Sequence, residues 1–110
     1  METLKKSRDY RRAVENGNRE ILETIAVYRT PNQAGKTRIG ISVSRKIGKS
    51  VQRNRIKRLV REAIRRNAPL LPKGEDIVIV ARKSCVDAGL REMERDIKNI
   101  CRDGELEEQG

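Results

Sequence analysis

The sequence predicts a mixed α+β domain, with helices packed on one small sheet in the order α-β-β-α-β-α. Three stretches carry this reading. Residues 38–44 (Arg-Ile-Gly-Ile-Ser-Val-Ser) alternate apolar with small or polar side chains, the mark of a strand buried on one face. Residues 50–67 set Val51, Ile56, Leu59, Val60, Ala63 and Ile64 on one stripe of a helix. Residues 77–81 (Ile-Val-Ile-Val-Ala) are apolar without a break, which suits a central strand covered on both faces.

Taken in order, a first helix is expected over residues 4–16. Ser7 can cap it by accepting from a free backbone N–H two or three residues on. Gly17 suits a left-handed closing position. Tyr10, Ala13 and Val14 share one helical face, which is either core or the wall of a groove. Residues 25–29 (Ile-Ala-Val-Tyr-Arg) read as a strand, and Pro31, Asn32 and Gly35 mark the turn after it. Together with residues 38–44 they fit an antiparallel hairpin. In that second run Ile39, Ile41 and Val43 face one way and Gly40, Ser42 and Ser44 the other. The small, polar face is either solvated or the floor of a groove that an extended polymer crosses. Pro69 closes the 50–67 helix, Lys73-Gly74 is a turn, and the link from Val43 to Ile77 resembles a crossover. A last helix is expected over residues 87–101, capped by Asp87, with Leu90, Met93, Ile97 and Ile100 as its stripe. Residues 103–110 hold four acids and no base, and are expected to be a disordered acidic tail after a single domain spanning residues 1–102.

Composition narrows the function. The chain has 110 residues, 35% of them hydrophobic, and its only aromatic residues are Tyr10 and Tyr28. No apolar run approaches the roughly 18–20 residues that span a bilayer. The opening Met-Glu-Thr-Leu-Lys-Lys lacks the apolar segment of a signal peptide. A cytoplasmic protein with no membrane partner is expected. Cys85 and Cys101 have no metal-ligand spacing and no histidine to join them, so both are read as reduced structural thiols. The absence of histidine rules out Ser-His and Cys-His nucleophiles. No acidic pair stands out either. No catalytic or metal-binding residue is therefore assigned, and any chemistry is expected to belong to a partner.

The charge shows what kind of partner. Between residues 45 and 66 ten Lys or Arg residues face one acid, Glu62, a net of +9 within a chain whose formal charge is +10. The rest of the protein is nearly neutral, so the positive charge is a local device suited to a polyanion. Arg53, Lys57, Arg61 and Arg65 recur at intervals of four and form one row along the helix; Asn54 and Arg58 form an adjacent one. Like charges at this spacing cost helix stability, and a phosphate partner offsets that cost through counterion release. Arginine outnumbers lysine six to one between residues 53 and 66, and guanidinium binds phosphate bidentately and stacks on bases. Asn54 can fix the loop backbone or read a base edge. Arg45, Lys46 and Lys49 add three cations just before the helix, near its positive end. Physics alone leaves DNA and RNA open. The flanking strands argue against a helix-turn-helix, and a cationic helix with little aromatic stacking suits structured RNA.

Residues 48–65 (Gly-Lys-Ser-Val-Gln-Arg-Asn-Arg-Ile-Lys-Arg-Leu-Val-Arg-Glu-Ala-Ile-Arg) resemble the RNR signature of the bacterial ribonuclease P protein component. Leu4-Lys5-Lys6, Tyr10 and Gly17 resemble that family's first helix. Residues 38–46 resemble the strand before its basic helix, and residues 76–82 its last strand. The resemblance covers about residues 4–102. It implies a two-layer α/β sandwich like a domain of ribosomal protein S5, with a left-handed crossover. It implies a monomeric protein subunit that pairs with a catalytic RNA to remove the 5′ leader of precursor tRNA, with Mg2+ held by the RNA. By position, Arg45, Lys46, Lys49, Arg53, Asn54, Arg55, Lys57, Arg58, Arg61 and Arg65 would form the surface for the catalytic RNA. Tyr10, Val14, Tyr28, Gly40, Ser42 and Ser44 would line the leader cleft. Family members often carry phenylalanine in place of Tyr10 and an aromatic in place of Val14, so leader affinity here leans on charge and backbone. Ser50 stands where the family usually has alanine, and is expected to act as an extra helix cap. The alternative of another class is a structural, ribosomal-type RNA-binding protein with no part in cleavage.

Overall fold

The computed structural model describes the backbone of residues 2–109 and the side chains of residues 3–100. Among these the chain forms one mixed sheet of β1 (Glu2–Thr3), β2 (Asn18–Ile21), β3 (Ile25–Pro31), β4 (Arg38–Ser42) and β5 (Glu75–Ala81), in the order β1-β4-β5-β3-β2. The helices are α1 (Ser7–Asn16), α2 (Ser50–Asn67) and α3 (Leu90–Gln109), with short 3-10 turns at Arg45–Ile47, Ala68–Leu70 and Lys83–Asp87. None of the described helices is long and apolar enough to cross a membrane.

The uninterrupted apolar run makes β5 the centre. Ile77, Val78 and Ile79 are all buried, so the strand needs neighbours on both edges and cover on both faces. It pairs antiparallel with β3 and parallel with β4. The hairpin expected between residues 25–29 and 38–44 is thereby corrected, because β5 lies between the two strands. Each of them is strongly apolar on one face only. Inserting the doubly apolar strand removes more apolar surface from water than pairing them directly. Helix α2 supplies the crossover between the parallel neighbours β4 and β5.

One face of the sheet, with Ile25, Val27, Ile39, Ile77 and Ile79, packs on the stripes of α2 and α3. The α2 stripe buries Ile56, Val60, Ala63 and Ile64; the α3 stripe buries Met93, Ile97 and Ile100. The opposite face carries α1 over a smaller cluster of Leu4, Ala13 and Val78, flanked by Tyr10, Tyr28 and Val80. Val51 does not join the core and is 80% exposed. At about 100° per residue it lies on the far side of the helix from Val60.

Several helix ends differ from expectation. Helix α1 begins at Ser7, with Lys6 at the cap position, so Ser7 sits inside the first turn and caps nothing. Leu4 is outside the helix and buried, and its N–H donates to the Ile39 carbonyl at 2.8 Å, continuing the contact of β1 with β4. Gly17 has φ −80°, which is extended rather than left-handed. Glycine suits this position because of crowding: a Cβ would overlap the backbone oxygens of Ala13 and Arg29. Lys49 occupies the cap position of α2. The Ser50 hydroxyl accepts from the Arg53 guanidinium at 3.2 Å instead of capping. Asp87 ends a 3-10 turn, and α3 starts at Leu90. There the Glu92 carboxylate accepts from the Gly89 N–H at 2.8 Å. The α3 backbone continues to Gln109, through the segment expected to be a disordered tail. Its Glu-Leu-Glu-Glu-Gln sequence is made of strong helix formers. Cys85 is fully buried, and burial pushes its thiol pKa up. The side chain of Cys101 lies outside the described residues.

Strand β2 has no sequence signature, because Asn-Arg-Glu-Ile lacks apolar alternation. Its position follows from the turn at residues 22–24, which returns the chain into β3. Thr24 anchors that turn: its N–H and hydroxyl both donate to the buried Asp96 of α3.

Asp76 fastens α1 to the sheet. The fully buried carboxylate accepts from Arg38 at 2.7 and 2.8 Å, from Asn32 at 2.9 Å and from Arg12 at 3.3 Å. Arg38 also lies 3.7 Å from Asp9, so α1 is held at two of its turns. Burial by itself would raise the Asp76 pKa; the hydrogen bonds from Arg38 and Asn32 and the charges of Arg38 and Arg12 outweigh it and hold the group below the ordinary carboxylate range. Asp76→Ala should cost about 3 kcal/mol in urea denaturation, because Arg38 loses its buried partner. The wild-type contribution is fully present above the unfolded aspartate pKa of about 3.9. It should disappear as pH falls through the lower folded value, an acid-side loss that Asp76→Ala should reduce. Gly17→Ala should cost about 1–3 kcal/mol in the same measurement, since rigid backbone must move.

Candidate nucleic-acid interface

The basic residues expected on one surface are brought together there. With Ile56, Val60, Ala63 and Ile64 buried against the sheet, α2 turns Asn54, Arg55, Arg58, Arg61 and Arg65 to solvent. Lys57 is partly buried at the margin. Arg45 and Lys46, in the 3-10 turn, and Lys49, at the start of α2, are exposed beside its first turn. Ser44 accepts from the Lys46 N–H at 3.2 Å and holds that turn. Arg53 is the least free: it is partly buried, one guanidinium nitrogen donates to Ser50, and its Nε is enclosed without a partner.

Charge is not spread evenly along α2. Glu62 accepts from Arg65 at 3.0 and 2.6 Å and from Arg66 at 3.1 Å. The hydrogen bonds from Arg65, then Arg66, bring the Glu62 pKa down to about 2. Arg66 also lies 3.7 Å from Glu94. The C-terminal end of the helix is thus internally neutralised. Arg45, Lys46, Lys49, Arg55, Lys57, Arg58 and Arg61 have no ion-pair partner among the described residues. Arg65 belongs to the surface expected from sequence, but its guanidinium is already engaged. A shallow hollow floored by Leu59 and framed by Arg55, Arg58 and Arg65 offers an apolar spot within the charged surface.

Five of the six residues expected in the leader cleft lie on the α1 side of the sheet, Ser44 does not, and together they do not form one patch. Tyr10 lies directly over Gly40, where a Cβ would collide with the phenol ring. Tyr28 packs with Leu4, Ala13 and Val78 beneath α1. Ser42 is exposed at the end of β4, whereas Ser44 lies past the strand and belongs to the basic turn. Val14 is 44% exposed on the outer flank of α1. The pairing register puts Ser42, Val80, Ala26 and Ile21 in one row across the sheet, next to the row of Gly40, Val78 and Tyr28. Ala26 and Val80 are half-buried and Ile21 is 54% exposed, so this row is an uncovered apolar floor. Sequence reasoning missed it because β5 reads as buried on both faces. The signal available was parity: Ala26 shares a face with Tyr28. Asp76 is committed to Arg38, Arg12 and Asn32, and Asp96 to Thr24. Among the described residues no group of three or more His, Cys, Asp or Glu is placed to hold a metal ion.

Comparison with known proteins identifies the family. The family model for ribonuclease P matches residues 1–104. The chain belongs to the ribonuclease P protein family. It is 39% identical over 98 residues to the ribonuclease P protein component of Clostridioides difficile, covering 88% of this chain and 86% of that one. It is 37% identical over 106 residues to that of Pelotomaculum thermopropionicum, covering 96% and 95%. The solved ribonuclease P protein of Thermotoga maritima superposes with a TM-score of 0.84 at 33% identity, covering 94% of this chain and 97% of that one. That of Staphylococcus aureus gives 0.83 at 28% identity, with 94% and 95% covered. As a family member the chain is the protein subunit of ribonuclease P and acts in tRNA 5′ processing.

Glu62→Gln should release Arg65 fully at the C-terminal end of α2 and loosen Arg66, which keeps Glu94 nearby. Binding to RNA should tighten, and the plot of log affinity against log salt should steepen by about one unit for each arginine that then meets a phosphate. Filter-binding or fluorescence titrations over a range of salt concentrations check this.

Proposed function

We propose that the protein divides its work between two surfaces of ribonuclease P. The α2 surface holds the catalytic RNA, and the sheet face beside α1 holds the single-stranded 5′ leader of precursor tRNA. The observation that carries this reading is the set of cations on α2 and the turn before it that have no ion-pair partner among the described residues, set apart from the Tyr10–Gly40 face. Seven cations in one region, with no ion-pair partner among the described residues, repel each other, and phosphates would offset that repulsion.

On the α2 surface Arg55, Arg58 and Arg61 donate to phosphate oxygens through guanidinium groups that can bind two oxygens at once. Arg45, Lys46 and Lys49 extend the track at the positive end of the helix. On the sheet face Tyr10 presents the edge of a groove whose floor is Ser42, Val80 and Ala26. A single strand there would lay bases on an apolar floor, with the Ser42 hydroxyl and backbone as polar contacts. In this reading hydrolysis is carried by the RNA subunit, which holds the magnesium that assists it. The protein binds, orients and neutralises, working in the cytoplasm, and is a monomer when alone.

Reconstitution with the matching catalytic RNA tests the proposal. The protein should raise cleavage of precursor tRNA at low magnesium, and no improvement there would sink the reading. Arg58→Ala and Arg61→Ala should each weaken binding to the catalytic RNA and lower the salt slope by about one unit. Slopes equal to wild type would remove both from the contact surface.

A further inference from the structure

A second recess opens at the outer edge of the sheet, separate from the uncovered floor beside α1. Strand β1 is two residues long, and its pairing with β4 stops at Ile39. Past that point the β4 edge faces a pocket of about 310 Å³. Ile41 of β4 forms its apolar wall, with the buried Ile39 of the same strand and Ile64 of α2 just beneath, and Tyr10 reaches it from the other side of the sheet. Lys57 and Arg61 stand at its margin, with Thr3 of β1 across from them. The pocket therefore joins a residue of each surface described above, Tyr10 from one and Arg61 from the other.

Its chemistry is asymmetric. The interior is aliphatic with one aromatic ring. Two cations line the same space, and neither has an ion-pair partner among the described residues. Lys57 is partly buried beside the apolar wall, so its stem packs there while its ammonium can face the same space. An apolar ligand would leave both cations uncompensated. Inorganic phosphate would leave the aliphatic wall wet. A ligand that is flat and apolar at one end and anionic at the other satisfies both, and the volume is at the small end of ligand sites.

We propose that this edge pocket takes one unpaired nucleotide of an RNA chain, with its base against Ile41 and Tyr10 and its phosphate on Lys57 and Arg61. The proposal rests on the ribonuclease P reading for its RNA, and the nucleotide can come from the leader or from the catalytic RNA.

The first test needs the protein alone. In titrations with adenosine and uridine 5′-monophosphate, the methyl NMR signals of Ile39, Ile41 and Ile64 should shift and saturate. With inorganic phosphate they should stay in place. Thr3→Trp fills the pocket while keeping both cations, and should abolish the methyl shifts. Thr3→Glu should do the same by repelling the phosphate, which covers the case where the indole disturbs folding. Methyl signals that do not move with either nucleotide overturn the proposal.

The second test uses the reconstituted holoenzyme and separates the sources. Losing one stacked base should weaken binding about fivefold to tenfold, the lower part of the range for a base on an aromatic platform. If the leader supplies the nucleotide, Thr3→Trp weakens precursor tRNA binding and spares assembly with the catalytic RNA. If the catalytic RNA supplies it, the pattern reverses. Wild-type affinities on both arms, in a variant with an unchanged melting temperature, overturn the proposal. Failure of the ribonuclease P reading is distinct, because it appears as wild-type protein that does not stimulate cleavage.

Discussion

The arrangement of this protein depends on one buried carboxylate. Asp76 stands near the start of the central strand, fully enclosed, and is satisfied only by groups that come from three other parts of the chain: Arg38 of β4, Arg12 of α1 and Asn32 of the loop after β3. Helix α1 is strongly charged, and Ala13 is its only buried residue. It has too little apolar surface to dock firmly by the hydrophobic effect, which scales with area. The Asp76 cluster replaces that missing area with directional bonds. It also fixes where Tyr10 sits, and so the width of both recesses that the tyrosine borders.

The electrostatics of α2 follow a similar economy. The helix must carry a dense row of cations outward while its inner stripe packs on the sheet. Glu62, with Glu94 beside Arg66, neutralises the far end by holding Arg65 and Arg66. What remains open is the region from Arg45 to Arg61, closest to the helix N-terminus and its positive dipole. The unpaired positive charge is gathered at one end of the helix rather than along its whole length. The charge total alone hides this, because it does not say which arginines are already spoken for.

The parts legible in the sequence were those where a single residue pattern decides the structure. The stripe of Ile56, Val60 and Ile64 defined α2 with the bounds observed, and the unbroken run from Ile77 marked β5 as central. The failures share another cause: they depend on what comes near in space. Gly17 is small because two carbonyls crowd it, which a glycine in a sequence cannot reveal. Strand β2 exists because β3 offers it an edge. The 25–29 and 38–44 strands look like a hairpin until the strand that belongs between them is placed. At the site, the basic surface was legible because charge is visible in composition. The row of Ser42, Val80, Ala26 and Ile21 was not, since it needs the register of three strand pairings.

The late position of the central strand has a consequence for how the chain comes together. Both neighbours of β5 precede it, and its partner residues in β3 lie about fifty positions upstream. During synthesis, β3, β4 and the whole of α2 leave the ribosome before residue 81 is available to join them. Contacts so distant in sequence form slowly. For that interval the apolar stripe of α2 has no finished sheet to lie on, although its cations are already in place. The chain thus exposes its most basic stretch before its core can close.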